Sequence, residues 1–218
     1  MEYRLAGLAS VEPEVAAMSA NDPHQSIRVE AARRMVERCS GFENQPISAD
    51  EVEALTKKAA DGGNPGARAR QLFASVLRDK RSGSAELSAA RQAEFCAVLR
   101  GAQSDPNALI ELAPVPLIAA TAKMNAALVS AGLNEPASRR LLRTAMEVAA
   151  CDLGADCGSD SLRALQVCAY VGRCGAPDPV GYLVFDVAAT PRDELAFINQ
   201  WRHSIVQAVE SGQCSLLN

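Results

Sequence analysis

The sequence is poor in rings and in histidine: aromatic residues make up 4% of it, and His24 and His203 are its only histidines. A core without rings must be filled by small and branched aliphatic side chains, and the 40 alanines among 218 residues favour closely packed helices. No apolar run reaches the roughly 20 residues that a membrane-spanning helix needs. A net charge of −4 offers nothing to attract nucleic acid. The 14 glycines, 11 prolines and 22% charged residues exclude a collagen-like repeat and a wholly disordered chain. Also missing are G-x-S-x-G, a glycine-rich phosphate loop, H-E-x-x-H and C-x-x-C. The hydrolase, nucleotide, zincin and thioredoxin chemistries therefore lack their sequence anchors, and no cofactor is expected.

Cysteine, by contrast, is generous: Cys39, Cys96, Cys151, Cys157, Cys168, Cys174 and Cys214. The array from Cys151 to Cys174 reads C-x5-C-x10-C-x5-C. Zinc knuckles use shorter spacers with histidine close by, so disulfides are the first reading, ahead of buried thiols and metal. Spacing does not determine connectivity. The preferred pairing is Cys151 with Cys168 and Cys157 with Cys174, each closing about 17 residues and contributing about 3 kcal/mol in a chain-entropy estimate. The rival nests Cys157–Cys168 inside Cys151–Cys174. A third bridge is expected between Cys39 and Cys96, each near the end of a predicted helix. Cys214 is left over, as a free thiol near the C-terminus or, in the minority reading, as a link to a second copy.

Disulfides call for an oxidising space, yet Met1-Glu2-Tyr3-Arg4 opens without the basic segment and apolar run of a leader. A mature chain whose leader has been removed reconciles the two. The 18 arginines against 4 lysines, beside the many alanines, fit a GC-rich bacterial genome. The expected location is periplasmic or secreted.

Helix starts recur along the chain. Asp22-Pro23, Asn64-Pro65, Asp105-Pro106, Asp178-Pro179 and Thr190-Pro191 each place an oxygen-bearing cap before a proline, whose missing N–H would lack a partner in the first turn anyway. Ser48-Ala49-Asp50-Glu51 is a capping-box pattern. Gly62-Gly63, Gly101, Gly132, Gly154, Gly172 and Gly212 mark stops. Between the marks, Ile27, Ala31, Met35 and Cys39, then Leu72, Phe73, Val76 and Leu77, form helical stripes. Leu141, Leu142, Ala145, Val148 and Ala149 form another, and Leu195, Ile198, Arg202, Ile205 and Val209 mark the last helix, with Trp201 beside them. These patterns predict helices near 23–40, 49–61, 65–80, 85–100, 106–113, 116–131, 136–153, 160–171, 179–188 and 191–211. Tyr182 to Val187 competes as a strand but finds no partner run, so a short helix is preferred there.

The expected fold is all-α: antiparallel helical hairpins stacked as an irregular bundle or short α-solenoid, stapled by disulfides. Residues 1–22 form a partly ordered N-terminal segment, and 23–218 a single domain whose cysteine-stapled half begins near 136. Proline-marked starts at 23, 65 and 106 hint at degenerate repeats.

Ala59-Ala60-Asp61-Gly62-Gly63-Asn64-Pro65-Gly66-Ala67 resembles the inter-helix turn of Sel1-type tetratricopeptide-like repeats. Cys151-Asp152-Leu153-Gly154-Ala155-Asp156-Cys157-Gly158, with Cys168 and Cys174, resembles a pattern in uncharacterised exported helical proteins of proteobacteria. The second resemblance implies an exported helical protein and carries no activity.

Chemistry-bearing residues are few. His203 beside Trp201 and Arg202 could move a proton but is more simply a surface histidine, and His24 belongs to a first helical turn. Glu94, Glu111, Glu147 and Glu194 are candidates for paired carboxylates that cleave glycans, though a solvated helix face explains each. Lys57-Lys58 reads as a solvated face, and Arg139-Arg140-Arg143 as a cluster that could meet an acidic partner. Alanine pairs such as Ala119-Ala120, Ala126-Ala127 and Ala149-Ala150 allow close helix packing or a groove for a partner helix. The expected function is a non-catalytic exported binding or scaffolding protein that holds a protein or peptide in the bacterial envelope. A carboxylate-based glycan hydrolase is the alternative, and a structural subunit or inhibitor-type protein the further one. No nucleic acid, membrane span or metal is expected.

Overall fold

The computed structural model describes residues 10–38, 48–82, 87–118, 126, 135–175 and 192–214. Their regular elements are helices, with no strand among the described residues. The helices are α1 (Val11–Met18), α2 (Gln25–Arg38), α3 (Ala49–Asp61), α4 (Pro65–Arg81), α5 (Ala89–Gly101), α6 (Asn107–Leu112) and α7 (Val115–Ile118). They continue with α8 (Glu135–Asp152), α9 (Leu162–Gln166), which runs into a π-helical turn at Val167–Val171, and α10 (Arg192–Ser211). Cys39, the strand-or-helix segment at 179–188 and most of the helix predicted at 116–131 lie outside the described residues.

The punctuation acts as its chemistry requires. The Asn64 side chain accepts a hydrogen bond from the Ala67 N–H at 2.8 Å, with Pro65 opening α4. Ser48 and Glu51 form the reciprocal box: the Ser48 N–H donates to Glu51 Oε2 at 2.8 Å, and the Glu51 N–H donates to Ser48 Oγ at 3.2 Å. Gly63, at φ +86°, turns the chain after α3, a conformation that a side chain would strain. Gly101 has a different role: a Cβ there would come within 2.8 Å of the Pro65 ring, so its bareness lets the end of α5 approach the start of α4.

Contacts group the chain into two compact units, each made of two stretches of sequence: 1–51 with 156–187, and 52–155 with 188–218. This interleaving differs from the single domain expected from residue 23, because strands of punctuation along a chain do not reveal which distant segments return to pack together. In the first unit, α1 packs on α2, and α2 on α9 and the π turn. Val15, Ala31, Ala32, Leu165, Cys168 and Ala169 form a buried apolar cluster there, and Ala164 and Val167 are buried as well. The face of α2 is turned by about one residue from the predicted stripe: Arg28, Ala31 and Ala32 are buried, while Ile27 is 50% exposed. Arg28 causes the turn. Its Nε and Nη2 donate to the carbonyls of Ala169 at 3.0 Å and Tyr170 at 3.1 Å, and its Nη1 to Asp22 at 2.6 Å. The guanidinium thus satisfies carbonyls that the end of a helix leaves without partners.

In the second unit, α4 packs on α5 and α6, and α8 on α6 and α10. Leu72, Phe95, Leu99, Leu109, Leu112, Leu142, Met146, Ile198 and Ile205 are almost fully buried. Leu141, Ala145, Val148 and Ala149 are buried as their spacing predicts.

The cysteines bond, but not in the expected pairs. Cys168 is joined to Cys174 and Cys96 to Cys214, with Cα separations of 4.4 and 5.6 Å. Cys151 and Cys157 are also disulfide-bonded. The first bridge overturns both the Cys151–Cys168, Cys157–Cys174 pairing and its nested rival. Gly172, at φ +80°, reverses the chain after the π turn and brings Cys174 back onto Cys168. The second bridge replaces Cys39–Cys96, because α10 packs on α5 and delivers the C-terminal segment to Cys96. Cys214 is therefore neither a free thiol nor available to link a second copy.

Candidate functional site

The first unit carries a cleft of about 230 Å³. Ile27, Glu30, Ala31 and Arg34 reach it at i, i+3, i+4 and i+7 spacing from one face of α2. Ala164 and Leu165 of α9 supply the facing wall, and the Cys168–Cys174 bridge closes one end. Ser161, buried, caps α9 by accepting from the Ala164 N–H at 3.1 Å, which sets Ser159 and Asp160 at the rim. Arg34 pairs with Asp160, and Arg173 joins the rim just beyond Gly172. The result is an apolar floor under two arginines and two carboxylates.

Below the cleft, the Arg28–Asp22 pair is a support rather than a reactive group. The Asp22 carboxyl is held below the usual carboxylate range, first by the His24 N–H at 2.8 Å and then by Arg28. Burial pushes the neighbouring Tyr170 phenol up.

A second opening, about 460 Å³, lies in the second unit among Leu55, Thr56 and Ala59 of α3, Ala67 and Arg70 of α4, and Glu111 of α6. It is mixed in character, with an apolar wall on α3 and the Arg70–Glu111 ion pair, 2.6 Å long, opposite. Glu111 raises the pKa of the Arg70 guanidinium, which stays charged.

The candidate residues from the sequence scatter. Glu94 takes both ends of a fork from Arg68, Glu111 pairs with Arg70, Glu147 with Arg143, and Glu194 with Arg140. Each carboxylate is engaged by an arginine, and the four stand on four different helices, α5, α6, α8 and α10. Arg140 reaches α10 and the Arg139 Nη1 donates to the Ile118 carbonyl, so this basic cluster ties helices of its own unit. His203 is exposed, with its Nδ1 2.6 Å from the Asn199 carbonyl one turn back, and His24 sits in the first turn before α2 as its position predicts. Lys57 and Lys58 are exposed, Lys57 paired with Asp61.

Among the described residues, no group of three His, Cys, Asp or Glu side chains is placed to hold a metal, and no helix is long and apolar enough to cross a membrane. Comparison with known proteins finds no matching family model, curated protein or solved structure. The likeness to Sel1-type turns thus rests on Ala59–Ala67 alone. Spacing places Ile27 in the apolar stripe of α2, whereas the structure leaves it 50% exposed at the cleft, with Arg34 one heptad on.

Proposed function

We propose that this is a non-catalytic exported protein, periplasmic or secreted, that holds a protein or peptide partner, with the cleft beside the Cys168–Cys174 bridge as its grip. The cleft carries the reading. Ile27, Ala31, Ala164 and Leu165 make an apolar seat for one anchoring side chain, and Arg173 at its rim, beside the Arg34–Asp160 pair, would meet an acidic neighbour or a C-terminal carboxylate. Oxidised cysteines support an exported location, and the arginine partners of Glu94, Glu111, Glu147 and Glu194 support a binding rather than a hydrolytic role. A bridge at one end of the seat limits the freedom lost on binding.

The test is selection from a displayed peptide library against the oxidised protein. Selected peptides are expected to carry one large apolar residue beside an acid and to lose about tenfold or more in affinity on Ile27→Asp, with Met18→Asp, exposed on α1 and outside the cleft lining, as the neutral control. Peptides indifferent to Ile27→Asp, or no enrichment at all, would overturn the reading.

A further inference from the structure

The α3 helix is amphipathic, and its apolar face is left exposed among the described residues. Ala60 is its buried residue, whereas Val52 is 43% exposed and Leu55 59% exposed. Val52, Leu55 and Ala59 stand at i, i+3 and i+7, the a, d, a positions of a seam that a second helix would cover. On one flank of that seam lie Glu51 and Lys58, seven residues apart and therefore on the same edge of the helix.

We propose that α3 pairs antiparallel with α3 of a second copy of this chain. The charge pattern names the occupant. In an antiparallel pair of helices the same edge of each faces the other, so a twofold axis near Leu55 sets Glu51 of each copy against Lys58 of its mate. The same axis sets Val52 against Ala59 and Leu55 against Leu55. A two-fold interface must be self-complementary in this way, whereas an unrelated helix would have no reason to match both ends. Ser48 holds the Glu51 carboxylate in place through the capping box and keeps its pKa low, and Lys58 makes no ion pair among the described residues. The opening of about 460 Å³ beside Leu55, Thr56 and Ala59 leaves room for the incoming side chains. The α3 face and the cleft share no residue, so the dimer variants and the peptide-binding variant test the two proposals independently.

Sedimentation equilibrium of the oxidised full chain tests the pairing. The mass is expected to rise from 23.0 kDa towards twice that value with concentration. Leu55→Asp and Lys58→Glu are each expected to weaken the dimer by about tenfold or more, at exposed positions where folding is untouched. Glu51→Lys alone is also expected to weaken it. Mixing the Lys58→Glu chain with the Glu51→Lys chain is expected to restore association as a heterodimer, since every facing pair is then opposite in charge. A wild-type mass that stays monomeric to roughly 1 mM overturns the proposal. So does a dimer indifferent to Leu55→Asp, or a mixture that fails to recover, and binding of some other helix to a monomeric α3 would reassign the face.

Discussion

Among the described residues, the first unit buries Val15, four alanines, Leu165, Val167 and a bonded cysteine, completed by an arginine whose charge is spent on two backbone carbonyls and one aspartate. The second unit buries Phe95, Met146, two isoleucines and a run of leucines, and its arginine–carboxylate pairs lie at the edges of that core. Their sulfur bridges follow the same contrast, since Cys168–Cys174 spans 6 residues and Cys96–Cys214 spans 118. A small core gains too little from area, so local closure and a polar clamp must complete it. A larger core can draw together segments that are far apart in sequence.

The largest expected difference lies in the bridges. Replacing Cys96 and Cys214 by alanine should cost about 5 kcal/mol in chain entropy, and replacing Cys168 and Cys174 about 2 kcal/mol. Denaturant unfolding of the two double variants would show this, and equal losses would break the contrast. Next comes the apolar core: Phe95→Ala is expected to cost about 3–5 kcal/mol, read by hydrogen exchange as lost protection in α4, α5 and α6 with first-unit amides little changed. Arg28→Met should do the reverse, removing about 2–3 kcal/mol of protection from the Gly172 N–H, which donates to the Cys168 carbonyl at 3.0 Å. Arg28→Lys is not expected to rescue it, because an ammonium lacks the fork that spans both carbonyls.

The smallest effect is one of pH. Asp22 has a folded pKa below its unfolded value of 3.8, so its contribution is complete above that pH and is lost as the pH falls through the lower folded value. The protection of the Gly172 amide, relative to its intrinsic exchange rate at each pH, should fall with acid in that window, and Asp22→Asn should remove the acid-dependent part. An unchanged acid limb in Asp22→Asn would show that the clamp acts without its carboxylate.

Much of the fold was legible because its signals are local. Asn64-Pro65, Ser48 with Glu51, and Gly63 each act on backbone groups within a few residues, so α3 and α4 begin and end where those residues stand. The stripe from Leu141 to Ala149 was readable for the same reason: a helix repeats its own face. The candidate sites were less so. Ile27 belongs by spacing to an apolar stripe, yet Arg28 takes the buried position, and nothing near residue 28 announces the carbonyls of Ala169 and Tyr170, 141 and 142 residues away.

The amino-acid sequence by itself determined the all-helical class, the helix limits that carry caps and glycine stops, and the presence of enough cysteine to cross-link them. Only the tertiary structure decided which sulfurs meet, which segments interleave into each unit, and which apolar residues are left exposed. The physical reason is range. Capping and periodicity are settled within a turn or two of backbone, whereas a bridge such as Cys96–Cys214 or a clamp such as Arg28 exists only after distant helices have found each other.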